Sequence, residues 1–266
     1  MARYFTSDWH LNSSNIIKYA GRPFKTSEKM AEAYVRSCNQ QAKDPNDTVI
    51  HVGDFFLKGF DRHDENAGHD KSLGFSAKHY LDQIAAQMVL VEGNHDASNV
   101  GHTLCKQMII DLGPFKSTSI SHYPSFEKGT WTLKGRDLDH LHIHLCGHVH
   151  DKWKWKIDHE RFVLNINVGV DAWKQQIVSE KKLIGFISSL LHSGEFNAAL
   201  RPEAAKLSAG MAVPKWDDGL TDGSKDAWVE VGLSKRSDSS KRRREARHPQ
   251  GLGDGTERHI VSIWRP

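Results

Sequence analysis

Met88-Val89-Leu90-Val91-Glu92-Gly93-Asn94-His95-Asp96 decides how this chain is read. Four apolar residues in an unbroken run are short for a helix and long enough for a buried strand, and they stop abruptly at a glycine followed by Asn, His and Asp. Thr48-Val49-Ile50-His51-Val52 repeats the design and stops at Gly53-Asp54. Arg3-Tyr4-Phe5-Thr6 repeats it again and runs into Ser7-Asp8-Trp9-His10. Between these strands the period changes to that of a helix. Thr26 to Lys43 places Met30, Ala33, Tyr34 and Cys38 on one face, with Ser27 as the expected cap, and Asp44-Pro45-Asn46-Asp47 ends it as a turn. Ser76 to Gln87 is the second expected helix. Strand alternating with helix argues an α/β layered fold with a parallel core.

The second half is richer in strands. Ser117–Ser121 leads into His122-Tyr123-Pro124, and Leu141–Cys146 leads into Gly147-His148-Val149-His150. Lys152-Trp153-Lys154-Trp155-Lys156 alternates with period two and reads as an amphipathic strand with Trp inward, or else as a basic aromatic platform for nucleic acid. A turn at Asp158-His159-Glu160 and a strand from Phe162 to Val170 follow, then a last helix from Glu180 to Leu191. Lys58–Gly74 reads as a long loop. Residues 1–193 are expected to form one domain and 194–266 a basic, largely disordered tail holding Trp216, Trp228, Trp264 and Arg242–Arg244.

Composition excludes several classes. Of 266 residues, 38% are apolar and 26% charged, as in an ordinary globular chain. No apolar run approaches the length of a membrane span, the first residues lack a signal-peptide stretch, and three irregularly spaced cysteines suit a reducing compartment. A cytoplasmic protein without a membrane partner is expected. Through Leu200 the chain carries 23 Lys and Arg against 23 Asp and Glu; beyond it the count is 13 against 10, so the formal +3 lies in the last quarter. By composition the body is not an electrostatic nucleic-acid binder, although a local groove on it could still be basic; the tail is the expected source of nonspecific attraction.

Seventeen histidines raise the expectation of metal. Five polar clusters each follow a strand: Asp8-Trp9-His10, Gly53-Asp54, Gly93-Asn94-His95-Asp96, Ser121-His122 and Gly147-His148-Val149-His150. Carboxyl ends of strands converge on one crevice in layered α/β folds, so these groups can meet. Imidazole, carboxylate and amide donors suit Mn, Fe, Zn or Co, and they are too many for one ion; two ions ~3.5–4 Å apart fit. His51, His140, His142 and His144 read as strand or loop histidines, because Leu141, Ile143 and Leu145 alternate with the last three. Cys38 and Cys146 read as core residues. Trp9, Phe55 and Tyr123 adjoin the ligand positions and either stack a base at the rim or face away.

Taken together and in order, Asp-x-His, Gly-Asp, Gly-Asn-His-Asp, His and Gly-His-x-His resemble the calcineurin-like metallophosphoesterase superfamily. Asn15–Phe24, with Gly21-Arg22-Pro23-Phe24, and Asn167–Asp171 are similar to a small prokaryotic and phage branch of predicted phosphoesterases. The resemblance implies a layered α/β/β/α sandwich with mixed sheets and a metal site at the carboxyl ends of the strands. It implies Asp8, His10 and His150 on one metal, Asp54 bridging, and Asn94, His122 and His148 on the second. His95 is implied as the residue that contacts phosphate and protonates the leaving oxygen, with Asp96 orienting it or lying on a solvent-facing turn. The implied cofactors are two divalent ions, Mn first, with Fe, Zn, Ni, Co or Mg as the others. The implied activity is hydrolysis of a phosphodiester or nucleotide by metal-bound hydroxide. A nuclease acting on DNA or RNA and a non-catalytic scaffold on the same fold are the alternatives. One departure matters: Gly53-Asp54 continues Phe55-Phe56-Leu57-Lys58, without the Asp-Arg-Gly of the superfamily's protein phosphatases. The anion clamp then falls to Arg22 or Lys58, with Asn15 as a further substrate-side candidate.

Overall fold

The computed structural model describes residues 1–57, 77–96, 102–127, 141–199 and 230–231. Lys58, the 58–74 loop, His140 and nearly all of the tail, including the basic run, lie outside them. The elements in chain order are β1 (Arg3–Thr6), α1 (Asn15–Tyr19), α2 (Ser27–Gln41), β2 (Thr48–Val52), α3 (Ala77–Leu81), β3 (Gln87–Val91), β4 (Thr103–Cys105), β5 (Gln107–Leu112), β6 (Phe115–Ser121), β7 (His142–Cys146), β8 (Trp155–Asp158), β9 (Val163–Asn167), β10 (Val178–Ser179), α4 (Glu180–Leu191) and β11 (Glu230–Val231).

They build a mixed α/β fold of two sheets. In the first, ordered β10-β1-β2-β3-β4, strands β1 to β4 are parallel and β10 is antiparallel. The second is ordered β11-β5-β6-β7-β9-β8; its centre, β6-β7-β9, is parallel and its flanks are antiparallel. Phe5, Ile50, Val52 and Val91 of the first sheet share one core with Ile120, Leu145, Leu164 and Ile166 of the second, so the sheets pack face to face. Leu183, Ile187 and Leu190 of α4 enter the same core. On the other face of the first sheet, Val49 and Leu90 meet Met30, Tyr34 and Cys38 of α2. Each such buried side chain contributes roughly 1.5–3 kcal/mol. All three cysteines are free and buried, and no helix among the described residues is long and apolar enough to cross a membrane.

Several elements differ from the sequence reading. Thr26, not Ser27, caps α2: its side chain accepts from the Lys29 N–H, and Ser27 is the buried first helical residue. The second expected helix is cut to Ala77–Leu81 because Gln87 is already paired with Thr48 in β3. Strand β8 starts at Trp155, so Lys152 and Trp153 lie before it. Lys154 covers the Trp173 ring at 3.6 Å and Lys156 the Phe126 ring at 4.8 Å, so these cations pack on the protein's own aromatics. The returning strand stops at Asn167, and Val170–Trp173 winds into a short 3-10 turn.

Candidate metal centre

Six of the seven parallel strands, β1, β2, β3, β6, β7 and β9, deliver their carboxyl ends to one place. Backbone hydrogen bonds knit the loops there: the Asp8 N–H donates to Gly53 O at 3.0 Å, His10 N–H to Asp54 O at 2.9 Å, Gly147 N–H to His122 O at 3.0 Å and Val170 N–H to Ser7 O at 3.2 Å. Two glycines permit the approach. A Cβ on Gly93 would lie 2.2 Å from Asp54 Oδ1, and one on Gly147 would lie 2.4 Å from Asp8 Oδ2. Asp8, His10, Asp54, His148 and His150 all have positive φ, between 48° and 69°. Left-handed backbone at a side-chain-bearing residue costs on the order of 1–3 kcal/mol and gathers where function demands a direction.

Seven titratable side chains named from sequence converge. One group is Asp8, His10 and His150; a second is Asp54, His122 and His148; a third, His10, Asp54 and His95, joins them. Asp54 Oδ2 lies 3.4 Å from His10 Nε2 and 3.2 Å from His122 Nε2, midway between the groups. Asn94 Oδ1 lies 3.1 Å from both His122 Nε2 and His148 Nδ1. Three of the rings have a partner behind them. His122 Nδ1 lies 2.9 Å from the Val52 carbonyl, which can only accept, so the proton sits on Nδ1 and the lone pair of a neutral ring faces Asp54 and Asn94. His150 Nδ1 lies 2.9 Å from Asp171 Oδ2, which leaves Nε2 for the crevice, and His148 Nε2 lies 3.5 Å from Glu127.

This donor set fits divalent cations. His10 Nε2 is buried with no hydrogen-bond partner, aimed at two carboxylates, and the facing groups are lone pairs with too few protons to share. The electrostatics agree. Burial alone would lower the His122 pKa, yet its hydrogen bond to Asp54 and the charges of Asp54 and Asp8 raise it to about 9: without a cation, the ring takes a proton instead. Burial pushes the Asp54 carboxyl up, but His122 and His10 hold it below the usual carboxylate range. Burial also drives His10 well below the usual histidine range.

Two expected roles change. Arg22 is not an anion clamp. Its side chain is fully buried: Nε and Nη2 pair with Asp171 at 2.8 Å each, Nη2 donates to Asp8 O at 2.7 Å and Nη1 to Trp9 O at 3.0 Å. It thus holds the left-handed Asp8-Trp9 turn and the carboxylate behind His150. Asp96 is not a solvent-facing turn carboxylate. It is 2% exposed and accepts the N–H groups of Gly93, Asp54 and Phe55 at 2.7–3.0 Å, fixing the loop that carries Asp54.

His95 is exposed at the mouth, its ring 5.2 Å from that of His10 and its N–H on Asp54 Oδ1 at 2.8 Å. Asn15 is exposed on the first turn of α1. Trp9 and Phe55 are buried and face away from the mouth, whereas Tyr123 is half-buried against His148 at 4.7 Å between ring centroids. Asp171 carried no role in the sequence reading, although it closes the quoted Asn167–Asp171 segment.

No family model matches the chain. An uncharacterized protein of Methanocaldococcus jannaschii is 29% identical over 175 residues, covering 64% of this chain and 84% of its own. A protein of unknown function from Aquifex aeolicus is similar in structure, with a TM-score of 0.47 and 21% identity over 70% of this chain and 98% of the other. Yfce, a phosphoesterase from E. coli, has a TM-score of 0.36 and 14% identity over 63% and 78%. The functional reading rests on the site's own geometry.

Proposed function

We propose that this protein is a dinuclear metal-dependent phosphoesterase that hydrolyses a phosphodiester or nucleotide. Asp8, His10 and His150 would hold one divalent cation, Mn first among the candidates, and Asn94, His122 and His148 the other, with Asp54 between them. The single observation that supports this most is the position of Asp54 Oδ2, 3.4 Å from His10 Nε2 and 3.2 Å from His122 Nε2, one carboxylate serving two imidazole groups. When bound, the cations supply Lewis acidity, lowering the pKa of water towards ~7 and neutralising phosphoryl charge.

The chain's own residues do the rest. His95 reaches the mouth without being needed in either cation's group, so its ring is available to protonate the departing oxygen. Asp171 and the Val52 carbonyl keep the His150 and His122 protons on Nδ1, so both Nε2 atoms stay available as donors. Arg22 offsets Asp171 internally, which leaves the Asp8 and Asp54 charges to the cations. The test is turnover of bis(p-nitrophenyl) phosphate by the full chain, stripped with chelator and then given Mn. Activity that vanishes on stripping and returns with Mn supports the reading; no turnover with any of the six candidate metals refutes it and leaves the scaffold alternative.

A further inference from the structure

Large apolar side chains of the described residues are buried or half-buried with two exceptions: Met1 at the chain start, 65% exposed, and Tyr19, 73% exposed. Among the described residues Tyr19 is thus the exposed ring of the Phe, Tyr and Trp side chains, and its position is not arbitrary. Its centroid lies 6.0 Å from the ring of His150 with the planes at 75°, directly beside the Asp8-His10-His150 group. Helix α1 buries Ile16 and turns Asn15, Lys18 and Tyr19 to solvent. Asn15 and Tyr19 are four residues apart and so share one face, with Lys18 beside them. A flat ring, an amide and an ammonium thus stand together at the His150 end of the crevice.

The opposite end differs. Tyr123 packs half-buried on His148, Glu127 stands 3.5 Å behind that histidine, and burial with the charges of Asp54, Glu127 and Glu92 pushes the Tyr123 phenol up. That end is acidic, with Glu127 beside its histidine. We infer that α1 is a nucleoside subsite: Tyr19 stacks the base of a nucleotide ester whose phosphate sits at the metal groups. This rests on the phosphoesterase reading and narrows its substrate class. An exposed ring gains by stacking on any base, because every base has a π-face, and Asn15 supplies the donor and acceptor pair that a base edge requires. Lys18 adds a cation on the same face for the ester's anionic charge.

Two diesters with one leaving group separate this inference from the reading it rests on: the p-nitrophenyl ester of thymidylate and methyl p-nitrophenyl phosphate. The full chain loaded with Mn is expected to prefer the nucleoside ester in kcat/KM. Tyr19→Ala should reduce that preference about 5- to 150-fold, mainly through KM, and Tyr19→Phe should restore it. The exposed position predicts an unchanged melting temperature for both variants. Turnover of both esters with equal kcat/KM, or a preference that survives Tyr19→Ala, overturns the subsite and leaves the phosphoesterase intact. Failure to turn over either ester overturns both.

Discussion

Two regions of this molecule concentrate histidine, and they are built oppositely. On the outer face of the second sheet, His144 Nδ1 meets Ser119 Oγ at 2.7 Å, while its Nε2 meets Tyr123 O at 3.0 Å and Ser121 Oγ at 3.2 Å. His142 Nε2 meets Ser119 Oγ at 2.9 Å. Hydroxyls there donate or accept as needed, every nitrogen of His144 has a partner, and the backbone is ordinary strand. At the strand-end crevice the rings face carboxylates and an amide oxygen, His10 Nε2 has no hydrogen bond, and five of the residues are left-handed. Histidine density is therefore common to both regions and distinguishes neither. Lone pairs that converge without protons to share make the crevice a place that could hold a cation, and a satisfied network marks the other as a structural clasp for the 121–125 segment.

The comparison breaks most visibly at Asp54. Asp54→Asn removes the one anionic group between the two halves; hydrolysis of an aryl diester is expected to fall below detection, with bound metal well under the wild-type level by atomic absorption. His95→Ala sharpens the division of labour: metal content should stay, turnover of esters with alkoxide leaving groups should drop ~10²–10⁴-fold, and nitrophenyl esters should lose far less. Equal losses for both leaving groups would assign His95 to binding. Asp171→Asn tests the support behind His150 and should cost about 10–100-fold in metal affinity, read by competition with a chelating dye.

The smallest effect belongs to the structural clasp. Burial lowers the His144 pKa from 6.5 to about 4, and outside the clasp, in β2, it lowers that of His51 to about 3, so both are folded in the neutral form. Below pH 6.5 the unfolded chain binds protons that the folded chain does not, so stability must fall as the pH drops from 6.5 towards 4. In metal-stripped protein followed by urea denaturation, the share of this loss due to His144 is on the order of 1–3 kcal/mol across that window, so His144→Gln should flatten the slope by about that amount while leaving metal content unchanged.

The same contrast explains what could be read from the chain. Buried strands ending at glycine and a ligand are local patterns, so β1, β2, β3, β6 and β7 and all seven converging side chains were legible. Ile143 and Leu145 placed His142 and His144 on the other face by alternation alone. What failed was non-local. Arg22 looks like a free cation until Asp171, 149 positions later, closes on it. Asp96 looks like a turn carboxylate until the amides of Asp54 and Phe55 arrive from β2. Strand β5 is not legible although Met108, Ile110 and Leu112 are buried in alternation, because apolar Ile109 on the other face breaks the period-two pattern. Strand β10 is two residues long at an edge, too short for any periodicity.

Electron paramagnetic resonance of the full chain titrated with Mn tests the central claim most directly. Two ions per chain with an exchange-coupled spectrum, lost in Asp54→Asn and retained in His144→Gln, is the predicted result. A single uncoupled ion in the wild type, or coupling that survives Asp54→Asn, would contradict it.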